Sequence, residues 1–195
     1  MKTLTKNVLG AFLIMGSIAM VGCKSKEKET KPVEGEVEVS MHCSGPDYFS
    51  DKNNIRSNAL GESTDRAIAM KKGMNEAKTK LAAAIQTTIK ATIDNYANSR
   101  EFNNKEQVEE KFESLSREVV KQKLSNVHRI CEKMTKKTDG SSKYVYYVAI
   151  EMKAGDLLEA INEKLTKQES LRIDYDYEKF KNTFDEEMNK LEKGY

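Results

Sequence analysis

Tyr144-Val145-Tyr146-Tyr147-Val148-Ala149-Ile150 is the strongest strand signal in the chain. β-Branched and aromatic residues fill it, and both of its alternating faces are apolar. That pattern belongs to a central strand covered on two sides. Just before it stands Asp139-Gly140, a dipeptide suited to the positive φ of a tight turn. Val127 to Thr135 and Lys143 to Met152 therefore read as the arms of an antiparallel hairpin. Further upstream, residues 36–42 alternate Glu-Val-Glu-Val-Ser-Met-His, so a first strand is expected with Val37, Val39 and Met41 on one face. Ser44-Gly45-Pro46-Asp47 is a turn, and residues 55–61 are extended in character without a clear period.

Between these strands the period changes to that of a helix. Met70, Met74, Ala77, Leu81, Ile85, Ile89, Ile93 and Tyr96 step by three or four, with Ser63 or Thr64 as the expected cap and Asp65 in the first turn. Gly73 interrupts this helix at a cost of about 1 kcal/mol relative to Ala. Asn104 and Gln107 resemble a capping box opening a second helix, with Val108, Phe112, Leu115 and Val119 on its buried face. The short link at residues 100–104 requires the two helices to return antiparallel. Asp156 to Leu165 is a third helix. The expected fold is α+β: a small antiparallel sheet packed against a long antiparallel helix pair, with C-terminal helices.

The chain begins with a processing signal. Lys2 and Lys6 precede the uncharged run Val8 to Val21, and Gly22 places a small residue before Cys23. The run is shorter than the ~18–20 residues of a spanning helix. The expected organisation is a lipoprotein signal peptide over 1–22, a charged tether over 23–35, an α+β domain over 36–168 and an amphipathic helix over 169–195. Cys23 would carry the lipid, a palmitate-type chain, and tie the protein to a bilayer without crossing it. Cleavage removes two basic and no acidic residues, leaving 33 − 2 = 31 basic against 31 acidic. That balance argues against a nucleic-acid partner.

With Cys23 lipidated, Cys43 and Cys131 remain in an oxidising compartment, and the expectation is a disulfide joining the first strand to the hairpin's first strand, with two buried free thiols as the competing reading. His42-Cys43 with His128-x-x-Cys131 supplies zinc-type ligands, but strand alternation sends neighbouring side chains to opposite faces, so no metal site is expected. Gly61-Glu62-Ser63 lacks the second glycine of a nucleophile elbow, so no catalytic residue is assigned, and no cofactor motif occurs. Tyr144, Tyr146 and Tyr147 are strand residues that would stack a ligand only beside a pocket. Ile173, Tyr177, Phe180, Phe184, Met188 and Leu191 form a narrow stripe on the last helix. Tyr177, Phe180, Phe184 and Met188 are candidate partner-binding residues, and docking onto their own domain is the competing reading.

Ser57-Asn58-Ala59-Leu60-Gly61-Glu62-Ser63, followed by Ala67, Lys71-Lys72, Ala77 and Leu81-Ala82, resembles the pattern of the Lpp-twenty family of bacterial outer-membrane lipoproteins. Tyr146-Tyr147-Val148-Ala149-Ile150-Glu151-Met152 is similar to that family's later strand, so the likeness covers about residues 55–153. Gly73 stands where the family usually has Ala, and the last helix and the two cysteines lie outside its pattern. Lys24 after Cys23, rather than Asp, resembles lipoproteins sorted to an outer membrane. The resemblance implies a small α+β domain, a lipid anchor and an envelope location, and it carries no catalytic residues. The expectation is a non-enzymatic structural or interaction module whose partner is an envelope protein or a second copy. The alternative is a lipoprotein that holds a small molecule or glycan.

Overall fold

The computed structural model divides the chain into two units, Met1–Glu38 and Val39–Tyr195. It describes residues 39–99, 105–168 and 175–193, with Gly35 and Val37 ahead of them. Cys23, the tether up to residue 34, Asn104 and Ile173 lie outside the described residues. The order of elements is β1 (Asn54–Ser63), α1 (Arg66–Asn98), α2 (Lys105–Lys123), β2 (His128–Lys136), β3 (Tyr144–Lys153), α3 (Ala154–Thr166) and α4 (Tyr177–Lys193). The sheet is antiparallel in the order β1-β3-β2, so the doubly apolar strand is central as its composition demands.

Helix α1 lies on the inner face of the sheet, and the contact is made by small residues. Ser57, Ala59 and Gly61 line that face of β1, and Ala69, Gly73 and Ala77 step along the facing side of α1. The Ser57 hydroxyl donates to the Ala77 carbonyl at 2.8 Å, a hydrogen bond between strand and helix. A β-carbon on Gly61 would stand 2.3 Å from both the Ala69 oxygen and the Gly73 nitrogen. One on Gly73 would stand 2.9 Å from the Tyr146 ring and 3.2 Å from the Gly61 nitrogen. This corrects the expected stripe over the first turns of α1. Ala69 and Gly73 are buried there, while Met70 and Met74 are moved to the flank and half-buried, because backbone at this separation admits no long side chain. The cap also differs: Asp65 is the N-cap residue, its carboxylate accepting from the Ile68 N–H at 2.9 Å.

Larger residues take over further along. Leu81, Ile85, Ile89, Ile93 and Tyr96 of α1 meet Ile55 of β1 and Val148, Ile150 and Met152 of β3, joined by Leu157, Ile161 and Leu165 of α3 in one core. Helix α2 runs back along α1: Tyr96 stacks on Phe112, Lys90 pairs with Glu113, and Gln86 shares a cleft with Val120.

The expected strand over residues 36–42 does not form among the described residues: Val39 to Met41 are not in a strand, and Val37 and Val39 are 86% and 85% exposed. Residues 36 and 38 lie outside the described residues. At Cys43 φ is 55°, in the left-handed region, which turns the chain out of an extended path. An alternating pattern with no neighbouring edge to bond cannot hold as a strand.

Adding one methyl group tests the helix–strand contact. Gly73→Ala should lower the denaturant midpoint even though Ala favours a helix by about 1 kcal/mol over Gly. Gly61→Ala should cost more, on the order of 3 kcal/mol, because backbone atoms rather than a flexible side chain must move. A stabilised Gly73→Ala protein would show that the contact is looser than described.

Candidate functional site

The segment from Met41 to Ser50 crosses the outer face of the sheet. Cys43 and Cys131 are joined in a disulfide with Cα atoms 5.6 Å apart, and Cys131 stands opposite Ala149 of the central strand. His42 meets Tyr147 edge-on with ring centroids 5.2 Å apart. At the far end of the crossing, Arg56 of β1 donates to the Phe49 carbonyl and pairs with Asp51 and Glu151. The crossing explains why Ala149, on the face turned away from the helices, is still buried. The bond was expected to link two strands; it links a turn to a strand. Both thiols are consumed, so they are not ligands alongside His42 and His128.

The three tyrosines do not share a face. Tyr144 and Tyr146 point to the helices and Tyr147 to the outer side, as alternation along β3 requires. Tyr146 is buried against Gly73, and its hydroxyl donates to Glu132 at 2.9 Å while accepting from Arg129 at 3.3 Å. Burial pushes the Tyr146 hydroxyl above its usual range. The hydroxyl and then Arg129 hold the Glu132 carboxyl below its own. Lys136 covers the Tyr144 ring at 5.5 Å. These contacts occupy all three rings as structural elements. Ser63 is likewise structural: it ends β1, and its hydroxyl accepts from the Asp65 N–H at 3.2 Å.

The stripe on α4 corrects the partner-binding expectation. Phe180, Phe184 and Met188 are fully enclosed by the protein's own core, and Tyr177 packs at its margin. Phe180 belongs to an aromatic cluster with Tyr96, Phe112 and Tyr175, with centroids 5.4 to 6.0 Å from it. The Tyr96 hydroxyl accepts from the Asp176 N–H at 2.8 Å, and Asn95 donates to the buried Glu187 carboxylate at 2.8 Å. The stripe is narrow because α4 lies against α1 and α3 and leaves its flanks in water. Tyr96 and Phe112 carried the missed signal, since two large aromatics near a helix turn need a third element to cover them.

One cleft has a mixed lining. Between α1 and α2, Ile89, Ile93 and Val120 surround about 190 Å³, with Lys90, Glu113 and Arg117 at the rim. The buried Ser116 hydroxyl faces it without a hydrogen-bond partner. This is smaller than the ~300–1,000 Å³ typical of small-molecule sites, and it lies away from the tyrosines.

No family model, curated protein or solved structure matches the chain.

Two measurements check the clamp and the docked helix. Denatured, unreduced protein should yield no thiol from residues 43 and 131; reduction should release both and remove up to about 4–5 kcal/mol of stability in the chain-entropy model. Truncation after Gln168 should cost several kcal/mol, and Phe180→Ala alone about 3–5 kcal/mol. An unchanged midpoint for Phe180→Ala would return the stripe to the role of a free surface.

Proposed function

We propose that the protein is a lipid-anchored module of a bacterial envelope, held at the outer membrane through acylated Cys23 and acting by presenting a rigid folded surface rather than by catalysis. The disulfide between Cys43 and Cys131 is the observation that carries this reading. A bond of this kind persists where thiols are not kept reduced, which agrees with the export signal read from Lys2 to Cys23. The clamp also closes a chain separation of 88 residues, and so strengthens a small domain at the point where it continues into its tether. The likeness of residues 57–63 and 146–152 to the outer-membrane lipoprotein pattern supports the same reading. So does the use of every aromatic side chain on β3 and α4 discussed above in packing or hydrogen bonding.

The anchor has a direct test. Cells expressing the full chain and fed labelled palmitate should incorporate label into it, and the Cys23→Ser form should stay unlabelled and unprocessed. Label retained by Cys23→Ser would overturn the anchor. One acyl chain binds a membrane only marginally, so firm association requires two or three chains on this residue.

A further inference from the structure

The turn of the hairpin and the start of α1 meet at one end of the sheet, since Ser63 stands opposite Tyr144. Six basic residues gather there: Arg66, Lys71 and Lys72 on α1, and Lys136, Lys137 and Lys143 around the turn. Four acidic residues accompany them, and each is already engaged; Glu76, beside Lys72, pairs with Lys80 at 3.9 Å. Glu62 pairs with Lys137 at 2.8 Å, Asp65 caps α1, and Asp139 accepts from the Ser141 N–H at 2.9 Å. Among the described residues Lys72 reaches only the Glu62 carbonyl, and Lys136 only the face of Tyr144. Arg66, Lys71, Lys72, Lys136 and Lys143 are exposed and form no ion pair with a described carboxylate. Ile68, a large apolar residue 48% exposed, stands three and four positions before Lys71 and Lys72, and so on their face of the helix.

We infer that this end of the domain is a docking surface for an anionic lipid bilayer, with the cations on headgroup phosphates and Ile68 among the headgroups. The inference rests on the anchoring reading and says which end of the domain faces the membrane. Residues 24–38 could span at most about 50 Å if fully extended, enough chain for either end of the domain to meet a bilayer, and charge then selects the end. The chemistry favours a bilayer over a nucleic acid. Five of the six cations are lysines, which act as mobile point charges rather than bidentate forks, and the nearest ring, Tyr144, is covered by Lys136 instead of being open for base stacking.

The test is lysine-acetylation footprinting of the full lipidated chain, purified from bacterial membranes and reconstituted in phosphatidylcholine vesicles with or without phosphatidylglycerol. On the anionic vesicles Lys71, Lys72, Lys136 and Lys143 should react at least about fivefold more slowly than on the zwitterionic ones. The protection should disappear in about 0.5 M salt, where the screening length is short. Lys52 and Lys153, at the opposite end of the sheet, should react alike in both. In a Lys71→Glu/Lys72→Glu/Lys143→Glu variant, Lys136 should lose its protection while the protein still floats with either vesicle. Equal rates on both vesicle types would overturn the inference, as would stronger protection by a single-stranded oligonucleotide at matched phosphate concentration. Failure to float with zwitterionic vesicles would instead count against the anchor, and the footprint on anionic vesicles would still decide the docking end.

Discussion

Between Gly61 and Gly73 neither residue has room for a β-carbon, and much of the domain follows from that approach. Backbone that close fixes both the distance and the rotation of α1 over β1. Ser57 then meets Ala77, Gly61 meets both Ala69 and Gly73, and the methionines beside them turn to the flank. Helix α1 has 33 residues and β1 has 10. At 1.5 Å and ~3.4 Å per residue those lengths are about 50 and 34 Å, so the helix overshoots the strand by roughly 15 Å. The buried residues of α1 grow along its length, from Ala69 and Gly73 to Ile93 and Tyr96. The overhanging part needs cover of its own, and α2 and α4 supply it through the rings of Tyr96, Phe112 and Phe180. The glycine contact at one end thus makes the aromatic cluster at the other necessary.

The second constraint lies on the opposite face of the sheet. Three strands with helices on one side leave the other side to water, yet the central strand is apolar on both. The crossing segment closes that gap, and the disulfide keeps it in place where a short peptide with few contacts would otherwise come free. Where the crossing stops, ion pairs continue across the strands: Arg56 with Glu151, and Lys137 with Glu62. Edge strand β2 carries a register shift between Arg129 and Cys131 and a run of charged side chains, both of which discourage pairing with another sheet.

The central strand, the hairpin and the long helix were legible because each rests on local chemistry: Tyr144 to Ile150 by composition, Asp139-Gly140 by turn geometry, and α1 by its period. What failed was set by partners distant in sequence. Glu36 to His42 has the alternation of a strand, but no edge is offered to the described part of it, and the turn at Cys43 takes the chain elsewhere. Met70 and Met74 have the right period and the wrong size, a fact that depends on Gly61 and its neighbours in another element. Phe180, Phe184 and Met188 were readable as an apolar stripe, but what covers it was not, because the cover is made by α1 and α3. Of the candidate site, the cysteine pairing was the expectation for the two thiols left in a chain read as exported. The turn that brings Cys43 to the sheet could not be read in the same way.

Charge shows the same division between composition and arrangement. With residues 1–22 set aside the chain holds 31 basic and 31 acidic residues, and a balanced total suggests a surface without direction. Folding removes that symmetry by consuming acids selectively. At the hairpin end Asp65 is held by the first turn of α1, Asp139 by the tight turn, and Glu62 by Lys137. Each carboxylate is placed by a local structural need, a cap, a turn or a cross-strand pair. The lysines beside them have no such need and remain in water. Hydrogen bonds leave the charges on Asp65 and Asp139 in place and Lys137 balances Glu62, but the cations around them still outnumber the anions at this end. A net charge of zero is therefore compatible with one strongly basic end, and caps and turns in the sequence mark where that end forms.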